Sequence, residues 1–179
     1  MNRILYLLTA LVLVFSSCQR ELNFENVGGG SSGGGGAVPD TAYYIKFKLN
    51  GTAFDYRSGI IAVKASIPAP LNVKTINVSG RAGTALQPLL AVDVRSATDI
   101  VVNQTYTEAI VNGTFSSLLY RDAGGENYSS ALTLTGSGFE CRFSEITATY
   151  VKGTFKGKVQ TLAGSSADIT EGSFFAKLP

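Results

Sequence analysis

Histidine and tryptophan are both missing from this chain of 179 residues. Without an imidazole no Ser-His-Asp or Cys-His unit can be assembled, the commonest general base is absent, and the usual nitrogen ligand of zinc is gone. Without an indole there is no broad ring for stacking on a sugar, a role left to eight tyrosines. Charge of either sign is also scarce. Fifteen Lys plus Arg against thirteen Asp plus Glu leave a net charge of +2, far short of the dense basic footprint with which proteins displace counterions from nucleic acid. The composition therefore predicts a protein without metal, cofactor or nucleic-acid partner, and not an enzyme. No window carries an apolar stripe of period 3.6 over a helical length. The only two cysteines, Cys18 and Cys141, stand in very different surroundings.

The first of them follows a leader-like segment. Met1 to Arg3 supply a short basic start, and Ile4 to Phe15 an apolar run of about a dozen residues, the size of a signal-peptide core. A membrane-spanning helix needs about 20 such residues to cross about 30 Å of hydrocarbon. The run stops at "FSSCQREL". Phe15, Ser16 and Ser17 before Cys18 resemble the lipobox of bacterial lipoproteins, with Phe15 where leucine is usual and the small Ser17 at the cut. That resemblance implies a diacylglycerol on the Cys18 sulfur, cleavage before Cys18, and an acylated, palmitate-class amino terminus. Each buried methylene contributes about 0.8 kcal/mol, so two or more chains hold a protein firmly at a bilayer. Residues 1–17 are then a signal peptide and residues 18–40 a lipidated start and tether, in which "GGGSSGGGG" (Gly28 to Gly36) behaves as a flexible coil. Gln19, in place of aspartate, resembles lipoproteins forwarded to an outer membrane. Glu21 and Glu25 resemble the acidic export tags of surface lipoproteins in Bacteroidota-type bacteria. The implied location is an outer membrane, lipid-anchored, facing periplasm or cell surface. Asp40-Thr41-Ala42 resembles the acceptor triplet of general O-glycosylation in such periplasms, which makes Thr41 a candidate glycan site; the plainer reading is that a strand begins after Pro39.

Residues 41–179 leave about 140 residues, the usual size for one domain with one core. They are rich in Val, Ile, Thr, Tyr and Phe with period two, broken by Asn-Gly, Ser-Gly, Gly-Thr and Pro signals. In "YYIKFKLNG", Tyr44, Lys46 and Lys48 alternate with Tyr43, Ile45, Phe47 and Leu49, and Asn50-Gly51 reads as a tight hairpin turn. Further strands are predicted near Ile60–Ala65, Thr75–Val78, Leu89–Val94, Thr114–Arg121, Ser130–Thr135, Glu140–Tyr150, Lys152–Gln160 and Ile169–Lys177, with Pro68, Pro70 and Pro88 in loops or at edges. The predicted fold is all-β, a single antiparallel β-sandwich, with an open β-barrel as the alternative. Cys141 alternates with Phe139 and Phe143 and reads as a small core residue. "VNGTF" (Val111 to Phe115) and "VKGTF" (Val151 to Phe155) echo each other, and "TEGSF" (Thr170 to Phe174) is a looser copy. Each reads as a strand entry in which Gly permits close approach and Phe points inward, so Phe115 and Phe155 are both expected in the core. The ending, "SEITATYVKGTFKGKVQ" and "ITEGSFFAKLP", resembles a family of small Bacteroidota-type lipoproteins of unknown function, which implies a β-rich domain and carries no catalytic residues.

Candidate sites are few. Lys152, Lys156 and Lys158 share one face of a strand, a basic stripe for an anionic glycan or lipid headgroup; the plainer reading is the solvated side of an amphipathic strand, where lysine also discourages edge-to-edge aggregation. The loop "RDAGGENYSS" (Arg121 to Ser130) offers oxygens without the alternating spacing of a calcium loop, and reads as a hairpin. Asp93, Asp99, Glu140 and Glu145 supply carboxylates from which a glycosidase pair could be drawn, but the sequence gives no separation. Asn50, Asn77, Asn103, Asn112 and Asn127 begin Asn-x-Ser/Thr triplets, which a lipobox-bearing chain rich in Ser and Thr produces without selection for sugar. The function expected is that of a membrane-tethered binding or assembly module with a glycan or envelope-protein partner; a glycan-capture accessory to a transporter is the alternative, and an envelope hydrolase the weakest reading.

Overall fold

The computed structural model describes residues 42–83, 85, 88–108, 110–111, 114–133 and 136–179. The leader, Cys18, the glycine tether and Thr41 lie outside the described residues. Thirteen strands follow in chain order: β1 (Tyr44–Leu49), β2 (Thr52–Tyr56), β3 (Ser58–Ile67), β4 (Val73–Arg81), β5 (Leu89–Ser96), β6 (Thr105–Thr107), β7 (Ile110–Val111), β8 (Thr114–Phe115), β9 (Ser117–Arg121), β10 (Asn127–Ser129), β11 (Glu140–Ile146), β12 (Tyr150–Gln160) and β13 (Ser166–Lys177). No α-helix occurs among the described residues.

Eleven strands form one continuous sheet that folds on itself into two facing arms of antiparallel neighbours; the pairing of β13 with β3 between the arms is parallel, where the sequence predicted antiparallel pairing throughout. One arm, sheet I, runs β2-β1-β13-β12-β11-β6, and the other, sheet II, runs β3-β4-β5-β9-β10. They are joined at both corners by single pairs, Lys177↔Ile61 between β13 and β3 and Ser129↔Gln160 between β10 and β12. The result is a sandwich whose corners close as a barrel's do, so the two predicted architectures meet in one fold. A separate ribbon pairs β7 with β8. Alternation aims Ile45, Phe47, Val151, Phe155 and Phe174 of sheet I and Ile76, Val78, Leu90, Val92 and Leu118 of sheet II into one shared core. Phe47 and Tyr120 meet across it at 6.3 Å between ring centres. Cys141 is buried there, and burial pushes its thiol pKa up, which makes it a packing residue rather than a nucleophile. Asn50 and Gly51 both take positive φ, 48° and 83°, as a primed hairpin turn requires.

The echoed motifs prove unequal. In β12 and β13 the partners are Gly153↔Phe174 and Phe155↔Gly172, so each glycine stands opposite the other motif's phenylalanine. A Cβ on Gly172 would fall on the Phe155 carbonyl oxygen and 2.7 Å from its ring, and one on Gly153 would meet the Phe174 ring. The two rings then stack at 6.2 Å. Phe115 has no such partner and is 39% exposed, which corrects its predicted burial. The inward phase there belongs to Ser116, Leu118 and Tyr120. Ser116 is buried because its hydroxyl accepts from Arg95 N–H at 2.9 Å, and it divides the predicted strand Thr114–Arg121 into β8 and β9.

Other boundaries differ as well. The predicted strand at Ser130–Thr135 begins instead with a 3-10 turn, Ser130–Thr133. There the buried Ser130 hydroxyl accepts from Leu118 N–H at 2.8 Å and its carbonyl from the Thr133 hydroxyl at 2.6 Å, local bonds that compete with a ladder. The β11–β12 hairpin turns at Thr147 to Thr149, earlier than predicted, because the Thr147 hydroxyl and amide are both spent on Tyr150 and Thr149. The Arg121 loop is a hairpin, with Asn127↔Arg121 in register and Asp122 Oδ1 accepting from Glu126 N–H at 2.9 Å.

Candidate functional site

The outward residues of sheet I line up across its strands. Lys46, Ser173 and Thr154 stand in register, continued by Arg142 and Thr105 on β11 and β6. The small side chains in the middle of this row leave a trough. One depression of about 440 Å3 is lined by Thr105, Glu140, Arg142, Thr154, Lys156, Glu171 and Ser173. A second, of about 370 Å3, is lined by Lys46, Lys48, Ala53, Asp55, Glu171 and Ser173. Sharing Glu171 and Ser173, the two form one shallow channel crossing the strands. With strands about 4.8 Å apart, six of them make it roughly 25 Å long.

A β-bulge shapes the channel. Lys46 faces Ser173 while Lys48 faces Thr170, and Phe155 faces Gly172 while Gly157 faces Ile169, so β13 carries one extra residue at Thr170–Glu171. Glu171 takes φ of 51°, uncommon for a residue with a side chain. The bulge turns both residues outward and aims Glu171 Oε1 at Lys48 Nζ, 2.7 Å away. Bulges re-aim side chains in this way beside functional surfaces.

The channel's other charges are mostly neutralised in place. Lys156 lies 3.1 Å from Glu140, and Lys46 3.9 Å from Asp55. Toward the Tyr44 end lies an aromatic ledge of Tyr44, Tyr150 and Phe175, with Tyr150 and Phe175 5.2 Å apart and edge-on. Lys152 Nζ sits 4.9 Å over the Phe175 ring and 5.3 Å over Tyr150, and Lys46 and Arg57 stand over Tyr44. Glu145 accepts from Lys152 at 2.9 Å and from the Tyr150 hydroxyl at 2.8 Å. Those donors hold the Glu145 carboxyl below the ordinary glutamate range, and its charge in turn raises Tyr150 and Lys152.

Lys152, Lys156 and Lys158 thus lie on one outward face, but as members of different arrangements. Lys152 belongs to the ledge and Lys156 to the channel wall, each paired with a glutamate, whereas Lys158 faces Asp168 across the ladder. The carboxylates do not converge. Asp93 sits on the outer side of sheet II, paired with Arg95 at 2.8 Å. Glu140 and Glu145 face Lys156 and Lys152, four residues apart on β12, roughly 13 Å at about 3.3 Å per residue. Glycosidase pairs stand about 5 to 9.5 Å apart. Among the described residues no group of three or more His, Cys, Asp or Glu is placed to hold a metal ion, and no helix is long and apolar enough to cross a membrane.

Arg142, Thr154, Glu171 and Ser173 had no place in the sequence reading as site residues. Alternation within "ECRF" sends Arg142 outward, and the lost phase between Ile169 and Gly172 in "ITEGSF" signals the bulge. That β6 and β11 extend the sheet beyond β12 is a long-range pairing without a local signal. Neither a family model, nor a curated protein, nor a solved structure matches this chain.

Proposed function

We propose that this chain is a non-enzymatic glycan-capture lipoprotein, anchored at an outer membrane through lipid on Cys18 and presenting the channel of sheet I to an extended, polar polymer. The observation that carries this reading is the channel itself: open along its length, lined by the hydroxyls of Thr105, Thr154 and Ser173, and walled by the ion pairs Lys48–Glu171 and Lys156–Glu140. Such a lining exchanges hydrogen bonds with sugar hydroxyls, and its lysines already stand beside carboxylates. Protein interfaces differ, since their centres are depleted of charge and enriched in aromatic residues. The separated and cation-paired carboxylates favour holding a ligand over cleaving it. Affinity electrophoresis of the full chain, purified in detergent, through gels containing single polysaccharides tests the reading: at least one polysaccharide is expected to retard it, and free migration through an envelope and plant polysaccharide panel would overturn glycan capture. The anchor has its own test. Wild type expressed in a lipoprotein-processing host is expected in the detergent phase and Cys18→Ser in the aqueous phase; equal partition of both would place the anchor elsewhere.

A further inference from the structure

Within the channel one cation differs from the rest. The Lys48–Glu171 and Lys156–Glu140 pairs are internally neutral, whereas Arg142 has no carboxylate within 4 Å among the described residues. Its guanidinium is instead steadied by a neutral oxygen, with Nη2 donating to Asn103 Oδ1 at 3.3 Å. Asn103 is itself fixed in a turn with φ of 64°, and its N–H donates to the Phe143 carbonyl at 2.8 Å. Most of the guanidinium's five donors therefore remain for a ligand, in a planar fork that matches a carboxylate in two parallel bonds. Thr105 stands in register beside Arg142 on one side and Thr154 on the other, so hydroxyls flank the fork on both neighbouring strands.

We propose that Arg142, flanked by Thr105 and Thr154, is a carboxylate subsite, and that the glycan this channel takes contains uronic-acid units. The inference rests on the glycan-capture reading and adds the ligand's chemical class. The net charge of the channel argues for a carboxylate spaced along a sugar chain rather than for a dense polyanion. The three pairs Lys46–Asp55, Lys48–Glu171 and Lys156–Glu140 plus one unpaired guanidinium leave the lining with a single net positive charge, which matches one carboxylate at a time.

The test compares binding of a glucuronoxylan, whose uronic acids are spaced along a neutral backbone, and its fully methyl-esterified form to the full chain in detergent, by calorimetry at fixed salt. Wild type is expected to prefer the free acid. Arg142→Gln is expected to lose roughly 10- to 100-fold in affinity for it, the range for a charge-assisted hydrogen-bonded contact, with little change toward the ester. Arg142→Lys is expected to recover only part, since an ammonium cannot form the paired bonds. The side chain is exposed, so both variants should retain the wild-type circular dichroism spectrum. Equal binding of acid and ester, or an Arg142→Gln variant that keeps its preference, would overturn the subsite. A chain that ignores both polymers yet is retarded by a neutral polysaccharide would overturn the uronate assignment and leave glycan capture standing; a chain retarded by none would remove both.

Discussion

The two sheets share one interior and differ on the outside. Five of the six ion pairs among the described residues lie on the outer side of sheet I, and only Asp93–Arg95 lies on that of sheet II. Sheet I also presents Tyr44, Tyr150 and Phe175, while the outward row Ile61, Ser79, Ala91 and Leu119 of sheet II is small or aliphatic and without charge. The inner faces follow one rule, alternating apolar side chains into a common cluster. Burial thus accounts for the fold from either sheet, but it does not explain why one outer face carries the channel, the outward-turned Glu171 and most of the ion pairs.

The largest expected effect sharpens the contrast between inside and outside. Phe155→Ala should cost about 3 to 5 kcal/mol in denaturant melts, as for other core phenylalanines. Phe115→Ala, from the same sequence motif but outward, should cost about 1 kcal/mol or less, in the range of surface changes. Equal losses would mean that the phase assigned around Ser116 is wrong by one residue.

Next comes the reciprocal glycine packing of β12 and β13. Gly172→Ala must push a Cβ against the Phe155 carbonyl and ring, and should cost about 1 to 3 kcal/mol as overpacking. Gly83→Ala meets no atom within 4 Å and should be near neutral. A mild Gly172→Ala would show that the two motifs do not interlock.

Smaller effects are expected on the outer face of sheet I. Lys156→Glu should alter stability by about 1 kcal/mol or less, as exposed pairs do. Glu145→Gln should reveal itself through pH. Because the folded-state carboxyl is held below its ordinary range, its contribution is complete above the unfolded glutamate pKa and disappears as pH falls through the folded value. Urea melts should therefore show a wild-type advantage over Glu145→Gln near neutrality that shrinks on acidification. An advantage that grows toward low pH would contradict the Lys152 and Tyr150 bonds.

Much of this architecture was legible in the residues. Alternation in "YYIKFKL" gave the inward set of β1 correctly, and Asn50-Gly51 marked its turn; the partner strand β2, with Phe54 and Tyr56 on its core side, carried the same alternation and went unread. The echoed Gly-x-Phe motifs held real information, but only two of the three copies lie on neighbouring strands, and adjacency is decided by pairing across the chain. Phe115 shows the limit most plainly: its local context matches that of Phe155, and only the buried Ser116 bond to Arg95 fixes the opposite phase. The channel was less legible for the same reason. Its members come from β6, β11, β12, β13 and β1, and nothing local to Thr105 says that it will stand beside Arg142.

The central claim, that sheet I carries the binding face, is tested most directly by matched obstructions of the two outer faces. Ser173→Tyr fills the channel, while Ser79→Tyr places the same ring on the outer side of sheet II. Binding of each full-length variant to a polysaccharide that retards the wild type should fall at least about tenfold for Ser173→Tyr, equivalent to about 1.4 kcal/mol, and remain unchanged for Ser79→Tyr. Loss of binding on Ser79→Tyr with full retention on Ser173→Tyr would contradict the account and move the site to the other sheet.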